Sequence, residues 1–445
     1  NSRRLVVYMI YKKLSYDLII DHNSGTLTNM YNLHLTAEQL EIRETVRDFV
    51  AREVKPVALH PDRLEEFNPR FALELLDKAS QMGLRTLTLS EESGGAGADS
   101  LTSCIVMEEL AAGDVDVAAA LAQTALLGRV LFDEAMTPAQ RERFVPQFVA
   151  DDRYHLALAG HDPDADLGWS YHRVRAAETG VAATAVRQGN GDWVVNGATG
   201  FVANAPIAKL FAVAGRTGSG KSGLNGVSTL LVPRDAAGLT VREPEKARDG
   251  SGAESMIRWY HGSGGELVFK DCRVPADHLL GKEGANPLTG IQRGIPQWAA
   301  LNLGVGRAAY EAAVEYAKLR IQGGRPIIEH QAIGTILANI AVKLEVARNM
   351  VWKAAWALDH PDALADRSLP DLPLQTIARV FTSEVVHEVT EGAAECFGAM
   401  GVMRDMPLQK YVHDALIFLH SEESNSAAKL RVAESVAGYR RPLAA

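Results

Sequence analysis

The spacing of apolar residues changes twice along this chain, and that change limits the folds open to it more than any single motif. From residue 34 apolar positions recur at helical spacing. Thr36 and Gln39 make a capping box, followed by Ile42, Val46, Phe49 and Val50. Phe71, Leu75 and Ala79 mark a second helix that Gly83 ends, and Gly94 to Asp99 is a glycine-rich loop. The chain then reads as helical from Ser100 to about Met136, and Thr137 and Pro138 open a further helix to Val149. From Tyr154 the period shortens. Val181 to Arg187 alternates, and Trp193-Val194-Val195 runs into Asn196-Gly197, which predicts a hairpin. Short strands follow at Phe211, Val227 to Val232, Leu239 to Val241 and Glu266 to Phe269, a spacing that suits a small sandwich or barrel. Helices return at Gln292, with an Ile333, Leu337, Ile340, Leu344 stripe. Asp359 to Pro373 is a connector, Leu374 to Phe397 another helix, and Pro407 and Ser424 open the last two. The order is α+β, without the βαβ alternation of a parallel sheet. It divides into a helical domain at 34–153, a β domain at 154–282 and a helical bundle at 283–445.

At 445 residues the chain is long enough for two or three domains. A net charge of −9, with no basic cluster among aromatics, argues against a nucleic-acid surface. Three scattered cysteines (Cys104, Cys272 and Cys396) suit a reducing, cytoplasmic setting, and no metal-ligand spacing is present. The first 33 residues are apolar but broken by Lys12, Lys13 and Asp17. They are too short and too charged to span a bilayer and read as an extension outside the fold, with Met30 as an expected start.

Two motifs fail their context tests. Gly215 to Ser222, GRTGSGKS, matches a phosphate-binding loop at every fixed position. That loop must lead into a helix, and here Gly223-Leu-Asn-Gly and the strand from Val227 follow. His161 to Asp166 opens like a calcium loop, yet Leu167 stands where glycine is required and Arg173 where the bidentate glutamate belongs. Nicotinamide-binding, zinc-hydrolase and serine-hydrolase motifs are missing from the sequence.

Near the C-terminus, Tyr411 to Asn425 reads YVHDALIFLHSEESN. The apolar run Ala415 to Leu419 carries Glu422 and Glu423 to the edge of a buried surface, where desolvation raises a carboxylate towards the range of a general base. On residues alone, SEESN reads rather as a solvated turn opening the last helix, since glutamate is rarely buried.

The helical–β–helical order with a late carboxylate resembles the acyl-CoA dehydrogenase family. The resemblance runs from His34 onward through LTAEQLEIRETVRDFVAREVKP, LSEESGGAGADSLTSCIVMEELA, VVNGATGFVANA, YAKLRIQGGRPIIEHQAI and ECFGAMGVMRDMPLQKYVHDA. It implies a helical domain, a β-sandwich or barrel and a C-terminal four-helix bundle. It also implies FAD bound between subunits of a homotetramer (a dimer being the other option) and oxidation of acyl-CoA thioesters to 2,3-enoyl-CoA. By this resemblance Phe201, Val202 and Ala203 lie along the flavin ring, Arg320 meets the pyrophosphate and Gln331 the adenosine half. Gly398, Ala399 and Gly401 let backbone approach the cofactor, and Ser424 keeps a hydroxyl that touches it. Glu422 falls on the catalytic glutamate, which takes the α-proton while hydride leaves for flavin N5. Its backbone N–H and a ribityl hydroxyl hold the thioester oxygen. On residues alone, Arg320 and Gln331 read as exposed helix surface and Gly398 to Gly401 as a helix stop.

The chain departs from the family pattern at several points. The aromatic and glycine flanking the catalytic glutamate are Ser421 and Glu423, and the flavin-contacting hydroxyls are lost at Ala159 and Ala203. The phenylalanine of a Phe-Gly pair is Gly323, and an arginine early in the first C-terminal helix is Ile295. Three functions stay open. The chain is an FAD-dependent acyl-CoA dehydrogenase passing electrons to an electron-transferring flavoprotein, a monooxygenase or oxidase on the same fold, or a non-catalytic member kept as an assembly partner.

Overall fold

The computed structural model describes residues 34–65, 70–160, 181, 183–217, 226–243, 260–288, 296–360, 373–420 and 424–438. Its first part is helical: α1 (Ala37–Phe49), α2 (Leu73–Gln81), α3 (Ser100–Ala111), α4 (Val115–Gly128) and α5 (Pro138–Ala150). The capping boxes at Thr36 and Thr137 both form, each with Gln at N3 returning the hydrogen bond. The stretch predicted as one helix from Ser100 is two. Gly113 packs so closely that a Cβ there would lie 2.7 Å from Val50 Cγ1. Asp114 then caps α4 by accepting from the N–H groups of Asp116 and Val117 at 2.9 and 3.2 Å. The segment Val115–Ala135 is long and apolar enough to cross a membrane, but 83 % of its most apolar window is buried inside the protein.

The β domain is one mixed sheet of eight strands. These are β1 (His155–Ala159), β2 (Thr184–Arg187), β3 (Trp193–Ala203), β4 (Ala208–Arg216), β5 (Val227–Pro233), β6 (Leu239–Arg242), β7 (Gly264–Val274) and β8 (Leu279–Leu280). The order is β6-β7-β3-β2-β4-β5-β8, with β1 parallel to β4. The hairpin expected at Asn196-Gly197 does not form there: β3 continues for eleven residues, with a register shift against β7 at that point. The Asn196 side chain is engaged across the sheet, donating to Asp271 Oδ1 at 3.2 Å and accepting from the Asp271 N–H at 2.7 Å. The chain turns earlier, where Gln188 to Asp192 link β2 to β3 through Asn190 and Gly191 (φ +93°). β4 and β5 pair antiparallel up to Arg216 and Val227. The phosphate-loop look-alike begins inside β4 at Gly215 and Arg216, and its remainder from residue 218, including Lys221 and Ser222, lies outside the described residues.

The C-terminal helices are α6 (Pro296–Leu319), α7 (Gln331–Asp359), α8 (Leu374–Phe397), α9 (Pro407–His420) and α10 (Asn425–Ala437). A Cβ at Gly306 of α6 would lie 3.0 Å from Leu344 of α7 and Val386 of α8, and Tyr316 stacks on Phe397 at 4.0 Å. One apolar core joins α1 to α4 with α6 to α9, so the first and last helical parts share an interior. Two others lie against the sheet.

His155 sits at the seam of α4 and β1, its Nδ1 3.2 Å from Thr124 Oγ1. Burial, reinforced by the nearby Arg85 guanidinium, depresses its pKa from the ordinary 6.5 to about 3. The unfolded chain therefore binds the proton that the folded chain refuses. His155 favours folding fully above pH 6.5, and that contribution is lost as pH falls towards 3. Urea unfolding across this window is expected to show a slope approaching ~1.4 kcal/mol per pH unit from this residue, absent in His155→Gln.

Candidate active site

The three residues expected along a flavin close β3. Val202 is buried, Phe201 and Ala203 partly so, and Ala203 pairs with Gly264 of β7. A Cβ on Gly264 would lie 2.0 Å from Phe201 Cζ, so the phenylalanine ring occupies space that a side chain at 264 would take. Tyr260 supports that ring from the other direction, 4.4 Å between centroids and tilted by 47°. Asn204 fixes the strand end to α4. Its Nδ2 donates to Ala120 O at 2.9 Å, Thr124 Oγ1 at 3.2 Å and Leu156 O at 3.3 Å, with its own φ at +65°.

The residue after Tyr260 reaches the helix that precedes the predicted base. The His261 ring packs on Phe418 of α9 at 4.3 Å, and its Nε2 lies 3.1 Å from Asp414 O. Its Nδ1 lies 3.7 Å from Asp116 Oδ1, which accepts from the Gly262 N–H at 2.9 Å. The expected flavin edge and the end of α9 are thus joined through two adjacent residues. Glu422, with Ser421 and Glu423, lies outside the described residues. On its N-terminal side α9 ends at an exposed His420, and on its C-terminal side Ser424 caps α10, its Oγ accepting from the Ala427 N–H at 3.3 Å. Asn425 is pinned to α8: its Nδ2 donates to Ser383 Oγ at 2.8 Å, and its Oδ1 accepts from that hydroxyl at 3.0 Å. The apolar run before the carboxylates is amphipathic, with Ala415, Ile417 and Phe418 buried and Leu416 42 % exposed.

Charge is concentrated beneath this joint. Burial lowers the Lys410 pKa, but the carboxylates of Asp414, Asp114 and Asp116 outweigh it and hold the ammonium above the ordinary lysine value. Lys410 Nζ pairs with Asp414, and Arg63 stands 3.6 Å from Asp114.

Arg320 and Gln331 are exposed, and no carboxylate among the described residues pairs with Arg320. They are brought to one end of the bundle by the strands Ile321–Gln322 and Arg325–Pro326 and by the bond from the Ile327 N–H to Arg320 O, 2.8 Å. The turn between those strands is Gly323 (φ +58°) and Gly324 (φ +81°), a geometry that explains glycine where the family has phenylalanine. Gly398 (φ +57°) ends α8, with open space where its Cβ would be, and Ala399 is exposed beside it. Gly401 is buried for an internal reason: a Cβ there would lie 2.5 Å from Ala394 O. The glycine run is both helix stop and exposed backbone. Trp298 packs against the large core.

Sequence reasoning missed the joint itself: Asp116, Tyr260, His261 and Asp414. The one available signal was Asp114 and Asp116 standing in an otherwise apolar, alanine-rich stretch. Among the described residues, no group of three or more His, Cys, Asp or Glu could hold a metal ion.

The architecture and the joint define an acyl-CoA dehydrogenase-type flavoprotein fold. Residues 36–152 match the acyl-CoA dehydrogenase N-terminal domain, 173–259 the middle domain and 288–436 the C-terminal domain, and the chain belongs to the acyl-CoA dehydrogenase family. This is a family of FAD-dependent oxidoreductases acting on CH–CH donors. The chain is 29 % identical to a probable acyl-CoA dehydrogenase YngJ of Bacillus subtilis, over 91 % of this chain and 99 % of that one. It is 30 % identical to the mitochondrial short-chain specific acyl-CoA dehydrogenase of Bos taurus, over 88 % of each. It superposes on butyryl-CoA dehydrogenase from Megasphaera elsdenii with a TM-score of 0.76 and 26 % identity, covering 92 % of this chain and 100 % of that one.

The residues present suit FAD. Phe201 and the Gly264 gap offer an aromatic shelf for a planar ring. Arg320, with which no carboxylate among the described residues pairs, offers a cation, and the start of the 29-residue α7, which its N-cap side chain leaves uncapped, offers N–H groups for phosphate. Gly264→Ala is expected to push the Phe201 ring aside, costing ~1–3 kcal/mol of stability. Purified protein should then carry less flavin per chain by absorbance, and full retention would separate Phe201 from the cofactor.

Proposed function

We propose that this chain is an FAD-dependent acyl-CoA dehydrogenase that converts an acyl-CoA thioester to the 2,3-enoyl-CoA, with Glu422 as the base. The observation that supports this reading is the link Phe201–Tyr260 and His261–Phe418, at 4.4 and 4.3 Å, which joins the expected flavin edge to the helix leading to Glu422. Bound FAD supplies the hydride acceptor. The chain supplies the proton acceptor and the order around it.

The α-proton of a thioester is only weakly acidic, so a carboxylate must meet it in a place where water does not compete. Anchoring is the contribution of the described residues. His261 holds α9 against the β domain, Asp116 holds the next residue to α4, and Asn425 ties the start of α10 to Ser383, so the elements on either side of the base are anchored. The Glu422 N–H, with a cofactor hydroxyl, would hold the thioester oxygen as charge develops on it. Glu423 beside it would raise the carboxylate pKa by like-charge repulsion.

Arg320 and Gln331, exposed at one end of the bundle, suit contacts to cofactor across a subunit boundary, as in a homotetramer or a dimer. Gly398, Ala399 and Gly401 suit close passage of backbone, and Ser424 retains an O–H proton to donate because its oxygen alone serves the cap. An electron-transferring flavoprotein is the acceptor that the family supplies by default. The cytoplasm suits three buried, unbridged thiols.

Anaerobic addition of acyl-CoA thioesters is expected to bleach the flavin. Glu422→Gln should lower that rate by about 10²- to 10⁴-fold while flavin stays bound. Bleaching that survives the substitution would assign the base elsewhere. Rapid reoxidation in air with oxygen inserted into product would favour the monooxygenase reading, and a colourless purified protein the assembly role.

A further inference from the structure

Among the described residues, two buried glutamines stand out because they carry buried polar atoms without a hydrogen-bond partner. Gln123 of α4 is 2 % exposed, and neither its Oε1 nor its Nε2 has a hydrogen-bond partner. Gln297 of α6 is 7 % exposed, and its Oε1 has none. An amide buried without partners is unfavourable, and an apolar residue of similar size would avoid the penalty.

Their location is informative. Ala119 of α4 faces the β domain: a Cβ at Gly262 would lie 3.6 Å from Ala119 Cβ. Gln123 stands one helical turn further on that face. Its neighbour Thr124, with Ala120 a turn earlier, receives the amide of Asn204, directly after the expected flavin residues 201–203. Gln297 comes from the other wall. A Cβ at Gly304 of α6 would lie 2.4 Å from Glu108 O and 2.8 Å from Ala111 Cβ, and Arg307 bonds to Glu108 and Glu109. Moving back along α6 therefore moves forward along α3 towards α4. Gln297 stands two turns before Gly304 on the same face, in the direction of α4, and α4 and α6 are themselves in contact.

We infer that Gln123, backed by Gln297, is a specificity determinant that reads an uncharged oxygen function, a hydroxyl or ketone, on the acyl chain of the thioester. The inference rests on the dehydrogenase reading above. An amide offers one acceptor and one donor group, which a hydroxyl or carbonyl satisfies. A carboxylate would bring an unpaired charge to a neutral site and is disfavoured. A site built to bond a substrate oxygen also rejects the plain chain, because its own polar atoms are then left unpaired.

The test uses the flavin-loaded enzyme with three hexanoyl-length thioesters: the plain chain, the 5-hydroxy or 5-oxo chain, and the ω-carboxylate. Rates of anaerobic flavin bleaching give kcat/KM for each, and the melting temperature is measured without substrate. The oxygenated chain is expected to exceed the plain one by about tenfold or more, the worth of one unpaired buried amide. Gln123→Met should lower that ratio about tenfold and raise the melting temperature, with Gln297→Met moving both in the same direction by less. A wild-type preference for the plain or carboxylate chain overturns the inference. So does a Gln123→Met enzyme with an unaltered ratio, which would make the amide a structural group. A flavin that no thioester reduces overturns the dehydrogenase reading and this inference together. Bleaching by the plain chain alone overturns only the inference.

Discussion

His261 is packed where the three parts of the molecule meet, and the placement of the candidate site depends on it. Its ring lies on Phe418 of the last long helix, one nitrogen is within hydrogen-bond reach of Asp414 O, and the next residue's N–H is held by Asp116 at the start of α4. The side chains of His261 and Asp116 are 3 and 2 % exposed. The Nε2 contact and the Gly262 bond satisfy part of this buried polar set, while Nδ1 stays 3.7 Å from Asp116, beyond hydrogen-bond distance. The joint serves as a rigid reference between sheet and bundle, which a reaction needing atoms aligned to a fraction of an ångström requires.

Beneath the joint, Lys410 shares a buried region with Asp114, Asp116 and Asp414. Such ion groups contribute little net stability against an apolar alternative, yet removing one partner leaves a stranded charge. Their effect is to make the docking of α9 nearly all-or-none. A comparable set of charges ties α3 to α6 and α7, where Glu108 and Glu109 meet Arg307 and Arg348 around a cavity of about 290 Å³ that Arg43 and Arg47 also line. The first and last thirds of the chain are therefore held together by charge as well as by their shared core.

Much of this was legible in sequence where the cause is local. Both capping boxes, the stop at Gly398, the cap at Ser424 and the limits of Leu374–Phe397 follow from residues within a turn of each other. The α+β order was legible because the apolar period itself changes. Failures came where a distant partner decides. Asn196-Gly197 has the composition of a hairpin turn, but Asp271, 75 residues away, takes its side chain, while Asn190-Gly191 has no such competitor and turns. The helix from Ser100 breaks because Gly113 must fit under Val50 and Val54. His261 and Gly262 bond across intervals of 153 and 146 residues, and no spacing rule reaches that far. The resemblance named Phe201 and Gly401 but not why each is there. One fills the gap left by Gly264, and the other yields to a carbonyl of its own chain.

The distribution of unsatisfied polar groups carries the argument one step further. The N-caps at Thr36, Asp99, Asp114, Thr137 and Ser424 all hold a backbone N–H. These five helix starts are satisfied within a turn of the chain. Gln123, Gln297 and Asn302, among the most buried amides of the described residues, leave polar atoms unpaired, and all three stand on α4 or α6. Interior amides left without partners cost stability at that place. Local rules are expected to fail where a site must remain ready for something absent from the folded chain itself. Of these two helices, α4 also holds the end of β3 and the start of the segment before β7, through Asn204 and Gly262.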